Sequence, residues 1–132
     1  MAHILIVEDA PDNRTIAELI LRDAGHTVVS VRDGASAIAA ATDDHPDVIL
    51  MDLSLPRLDG WEATRRLKAD PATSDIPVIA FTAHTLPSDI DRALKAGVSS
   101  VIAKPFEIDF FLDQINALVR QKPVAKSRGA SA

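Results

Sequence analysis

Five polar side chains stand at matching places in this sequence, each just after a short apolar run. Glu8 and Asp9 follow His3–Val7, Asp52 follows Val48–Met51, Thr82 follows Val78–Phe81, and Lys104 with Pro105 follows Ser100–Ala103. Alone, each has an ordinary reading. An acid at such a position is commonly a solvated loop residue or a helix cap, and a lone lysine is commonly surface. Together they deliver three carboxylates, a hydroxyl and an ammonium to corresponding points of the chain. Three carboxylates in one crevice repel and raise one another's pKa. A hard divalent cation relieves that repulsion, and Mg²⁺ takes one or two carboxylates together with phosphate oxygens. Lys104 offers a compact charge for a phosphoryl oxygen, and Thr82 a neutral hydroxyl. One carboxylate is then left to act as nucleophile and form an acyl phosphate. Asp52, after the third of the five runs, is the candidate. Catalysis of this kind is mostly positioning and charge neutralisation.

Such residues need elements to hold them. A further run, Thr27–Val31, brings the number to five, each four or five residues long and rich in Ile, Val and Leu. Little polar alternation breaks them, as expected of strands buried on both faces. Segments of helical period lie between. Ile16, Leu19 and Ile20 mark a face of the first, with Gly25 as its stop. The second runs from about Gly34 to Thr42 behind a possible Asp33 cap. The third runs from about Gly60 to Ala69, before Asp70-Pro71, and the fourth from Pro87-Ser88 to Gly97. The last carries Ile108, Phe111, Leu112, Ile115, Leu118 and Val119 in an i, i+3, i+4, i+7 rhythm. Five βα units of this size predict an α/β fold with a doubly wound parallel sheet and right-handed crossovers. The ligand site of such a sheet lies beyond the carboxyl ends of its strands, where the five polar residues fall.

Composition narrows the function. The 132 residues contain no cysteine, which excludes disulfides, thiolate metal sites and a cysteine nucleophile. The longest apolar run, Ala37 to Ala41, is far short of the roughly 20 residues a membrane helix needs. No signal peptide is visible, so a cytoplasmic location is expected. Four of the 14 basic residues, Arg120, Lys122, Lys126 and Arg128, sit at the C-terminal end without an acid. The other 119 residues hold 10 basic and 19 acidic groups, a net of −9. A body this acidic argues against nucleic-acid binding. The composition after Pro123 reads as a disordered tail, and the domain boundary falls at 1–120 with a basic tail over 121–132.

The residues also resemble a known family. Ile4-Leu5-Ile6-Val7-Glu8-Asp9, then Val48-Ile49-Leu50-Met51-Asp52-Leu53-Ser54-Leu55-Pro56 with Asp59-Gly60, then Thr82-Ala83 and Lys104-Pro105-Phe106, are similar to the receiver domain of bacterial response regulators, a CheY-like, flavodoxin-like fold. The resemblance covers about residues 2 to 120 and implies the strand order 2-1-3-4-5. It implies that Asp52 is the phosphoacceptor, served by a phosphohistidine on a sensor histidine kinase or a histidine phosphotransfer protein. It gives Mg²⁺ (or Mn²⁺) three protein ligands, Asp9, Asp52 and the carbonyl of Ser54, with Glu8 acting through a bound water. Thr82 then bonds the phosphoryl group and moves on its arrival, Lys104 pairs with the group, and the Lys104–Pro105 bond is cis. Small Ala83 leaves the group accessible, while Ser54 and His84 tune how long it lasts.

One position departs from the pattern. Three residues before the lysine, many receivers carry a Tyr or Phe that rotates inward on activation. Val101 stands there, with one stiff χ1 and no ring to swing. The chain ends soon after Arg120, so the resemblance points to a stand-alone receiver of the CheY and DivK types, acting through a separate protein output partner. The alternative is a Mg²⁺-dependent phosphohydrolase with an aspartyl-phosphate intermediate. Such enzymes place a second acid two residues after the nucleophile, where this chain has Ser54. A nucleotide or flavin carrier is disfavoured because no Gly-rich loop follows the first run.

Overall fold

The computed structural model describes residues 2–121, so the expected basic tail, apart from Gln121, lies outside the described residues. Five strands, β1 (His3–Val7), β2 (Thr27–Val31), β3 (Val48–Asp52), β4 (Val78–Thr82) and β5 (Ser100–Ala103), alternate with five helices. The helices are α1 (Pro11–Asp23), α2 (Gly34–Asp44), α3 (Gly60–Ala69), α4 (Pro87–Ala96) and α5 (Ile108–Gln121). All the strand pairings are parallel, in the order β2-β1-β3-β4-β5. The doubly wound sheet and its strand order match the expectation.

Local chemistry explains the boundaries. The Asp33 carboxylate caps α2 by accepting from the Ser36 N–H at 2.8 Å, and Asp59 caps α3 by accepting from Glu62 N–H at 2.8 Å. Pro87 opens α4 where a missing N–H costs nothing. Gly97, at φ 115°, closes α4 in the left-handed region that favours glycine.

Alternate strand residues enter two cores. Leu5, Val7, Ile49, Met51, Val78 and Ala80 pack beneath α2, α3 and α4, which contribute Ala37, Ala41, Ala63, Leu67 and Ala93. Ile4, Ile6, Val48, Leu50, Ile79 and Phe81 pack beneath α1 and α5, against Ala17, Leu21, Phe111 and Ile115. Two expectations need correction. Burial on both faces holds for β3 and β4, whereas β2, at the sheet edge, has its first residue exposed and the rest half-buried. The buried face of α1 is Ala17 and Leu21; Ile16 and Leu19 are 49% and 63% exposed. The i, i+4 spacing is met by both sets, and small Ala17 is what lets the helix approach the sheet. No helix among the described residues is long and apolar enough to cross a membrane.

Candidate phosphoryl-transfer site

Parallel strands end on one side, so the residues after β1, β3, β4 and β5 share an edge. Register brings them level: Val7 lies beside Met51, Asp52 beside Phe81, and Thr82 beside Ala103. Asp52 and Thr82 are the last residues of their strands, one position further along than the apolar runs reach.

Three of the expected residues meet directly. The Lys104 Nζ donates to Glu8 Oε1 at 2.6 Å and lies 3.5 Å from Asp52 Oδ2. Glu8 is 1% exposed and Asp52 5%. The aromatic face of Phe81 supports the same ammonium, 4.6 Å from its ring centroid. Burial raises the Glu8 pKa, outweighing the Lys104 hydrogen bond that lowers it; the Asp52 carboxylate beside it raises it further. Asp52 Oδ1 accepts from the Ser54 N–H at 3.0 Å, and Glu8 Oε2 from the Ala10 N–H at 3.1 Å. Asp9 is exposed, and among the described residues no hydrogen bond or ion pair joins its carboxylate to the other two.

The remaining candidates surround this core. Thr82 is fully buried, and its hydroxyl accepts from the His84 N–H at 2.8 Å. The His84 Nε2 contacts the Ser54 hydroxyl, so the two positions expected to tune the phosphate lifetime touch. Ala83 is exposed, and the Lys104–Pro105 bond is cis. Val101 is half-buried against the core beneath α2, α3 and α4.

Several contributors were not visible as such in the sequence. Gly60 passes so close to β3 that an added Cβ would meet the Asp52 carbonyl and come within 2.6 Å of Leu53 Cα. Its N–H donates to the Leu53 carbonyl at 3.0 Å, tying the start of α3 to the end of β3. Trp61 stands edge-on to His84, with centroids 5.7 Å apart. Both contacts join residues distant in sequence, and their only signal was the Asp59-Gly60 pair already noted.

The donor set suits a hard divalent cation. Two buried carboxylates share one ammonium, which leaves a net negative charge in a crevice of oxygen atoms. Among the described residues no group of three or more acids and histidines is already drawn together around a metal position.

A family model of the response regulator receiver domain matches residues 4–116. The chain belongs to the response regulator receiver family. As a receiver it is 37% identical to the protein PilH of Pseudomonas aeruginosa over 119 residues, covering 90% of this chain and 98% of that one. It is 35% identical to the polar-differentiation response regulator DivK of Brucella abortus over 114 residues, covering 86% and 93%. Among solved structures, the receiver domain of the sensor histidine kinase PA1611 of P. aeruginosa superposes with a TM-score of 0.86 at 38% identity, covering 91% of this chain and 98% of that chain. That crystal structure holds a magnesium ion coordinated in its active-site cleft. These relatives place this receiver in two-component signalling, with the CheY-like fold expected from the sequence.

Proposed function

We propose that this receiver is a phosphorylation-controlled binding module whose phosphoacceptor is Asp52. The observation that carries this is the buried Asp52 carboxylate at the end of β3, 3.5 Å from the Lys104 ammonium. A carboxylate oxygen of Asp52 attacks phosphorus, a P–O bond forms, and the P–N bond of a phosphohistidine breaks. The departing imidazole nitrogen takes up a proton, and the donor is a sensor histidine kinase or a histidine phosphotransfer protein. Lys104 is within reach of a phosphoryl oxygen on Asp52, and its Glu8 contact keeps it oriented. The Thr82 hydroxyl can turn to donate to another phosphoryl oxygen while its own acceptor role toward His84 changes. Asp9, Asp52 and the Ser54 carbonyl would hold Mg²⁺ (or Mn²⁺), with Glu8 through a water, and when bound the ion would supply charge neutralisation for the transferring group. The phosphoryl group then shifts a two-state equilibrium and changes affinity for a protein output partner.

Acetyl phosphate with Mg²⁺ is expected to add one phosphoryl mass to the wild-type chain and none to Asp52→Asn, read by intact-mass spectrometry. A folded wild-type protein that stays unmodified overturns the reading. So does a modification that survives in Asp52→Asn.

A further inference from the structure

We propose that the cleft between α3 and α4 is a docking surface for an acidic segment of a protein partner, with its affinity set by the Asp52 site through His84 and Trp61. The cleft has a volume of about 210 Å³ and is lined by Trp61, Glu62, Arg65, Arg92, Lys95 and Ala96. Its charged lining is mostly cationic. Three cations face one acid, and that acid, Glu62, is already shared by Arg65 at 2.8 Å and Arg66 at 3.0 Å. Lys95 pairs with Asp91 at 3.0 Å on the exposed side of α4. Arg92 has no ion-pair partner among the described residues; its guanidinium lies 4.3 Å above the Trp61 ring. An exposed guanidinium stacked on an aromatic floor, flanked by further cations, fits a carboxylate with an apolar neighbour. Trp, Tyr and Arg are also the residues that most often dominate protein interfaces.

The coupling follows from contacts already described. The His84 N–H bonds the Thr82 hydroxyl, its ring touches Ser54, and its edge meets Trp61. The Trp61 indole N–H in turn donates to the Asp89 carbonyl of α4 at 3.3 Å. One side of His84 thus reads the phosphoryl site, and the other side bears on the cleft. When Thr82 turns toward a phosphoryl oxygen, His84 loses or redirects its backbone bond, and Trp61 is the next group in line. Val101 supplies no ring on β5 for the alternative route. This step rests on the receiver reading, because it takes Asp52 as the group that is modified.

Trp61 is the only tryptophan in the chain, so its fluorescence reports on the cleft directly. The probe is a short peptide of Asp, Glu and Leu, titrated into the full chain before and after phosphorylation, with the phosphoryl mass verified. A saturable change in emission is expected, weakening as salt is added. The dissociation constant should differ between the two states. In Arg65→Glu/Arg92→Glu, shown by circular dichroism to be folded, affinity should fall about tenfold or more. In His84→Ala molecules that carry the phosphoryl group, the difference between states should vanish. No saturable change in either state overturns the inference, as does equal affinity in the charge-reversed variant. A dimer that forms with rising concentration and is lost in that variant, with no peptide effect, assigns the cleft to a second copy and also overturns it. A chain that never gains the phosphoryl mass overturns the receiver reading itself; a phosphorylated chain with an unresponsive cleft overturns this inference alone.

Discussion

Lys104 serves two buried carboxylates with one charge, and that imbalance has a measurable consequence. The ammonium lies nearer to Glu8, at 2.6 Å, than to Asp52, at 3.5 Å. Asp52 also repels Glu8, which is one cause of the raised Glu8 pKa. Asp52→Asn keeps the shape and removes the repulsion. It is expected to be more stable than wild type in metal-free buffer at neutral pH, by about 1 kcal/mol, the scale of one pKa unit of interaction. Mg²⁺ should stabilise the wild type, as any ligand of the native state does, and should stabilise Asp52→Asn less. Thermal melts of both proteins with and without Mg²⁺ check this, and a less stable metal-free variant contradicts it. At this scale much of the site was legible. Glu8, Asp52, Thr82 and Lys104 could be picked out because each follows an apolar run, and parallel strands must end together. Ser54 touching His84 was not legible, since the two are brought together only when β3 and β4 are paired. The exposure of Asp9 was equally hidden, because its backbone position says nothing of where its carboxylate points.

Elements were easiest to read where local chemistry marks their ends. Asp33, Asp59, Pro87 and Gly97 all act at the boundaries their types suggest. The misread face of α1 has a physical cause. Ile16, Leu19 and Ile20 satisfy the helical spacing, but a helix laid on a sheet needs small residues at closest approach, and Ala17 meets that need. Hydrophobicity alone did not separate the side that touches β-strands from the side beside α5. Capping yields a prediction at this scale. The Asp33 pKa is lowered, chiefly by the hydrogen bond from the Ser36 N–H, with the Ser36 side chain and Arg57 adding to it. A carboxyl with a depressed folded pKa contributes stability above the ordinary aspartate value and loses it as pH falls through the folded value. Asp33→Ala should therefore cost about 1 kcal/mol at neutral pH. The gap between variant and wild type should narrow below about pH 4. Urea melts across that range check it, and a gap that stays constant or widens in acid contradicts the charge-assisted cap.

The whole molecule puts its apolar exposure and its chemistry on adjoining surfaces. Ile16 and Ile20 of α1 and Ile108 of α5 line a hollow that reaches Lys104 and Pro105 at the edge of the site. Leu19 and Leu112 extend that apolar surface along the two helices. Ile20 and Leu112 also pack against the core beneath α1 and α5, whereas Ile16, Leu19 and Ile108 are about half exposed or more. The position of this surface beside Lys104 suits the phosphohistidine donor proposed for Asp52, which would need a contact surface of this apolar kind. Acetyl phosphate needs only the crevice, whereas a protein donor must cover the rim. Ile16→Glu separates the two. Its side chain is half exposed, so the effect on stability should stay within about 0.5 kcal/mol. An added carboxylate on an apolar rim would have to be desolvated when a protein covers it. Phosphoryl transfer from a phosphohistidine protein should slow about tenfold relative to transfer from acetyl phosphate, a loss near 1.4 kcal/mol. Both rates can be followed by intact mass on the same preparation. Equal slowing with the two donors would locate the effect in the crevice, and no slowing with either would remove α1 from the donor's path.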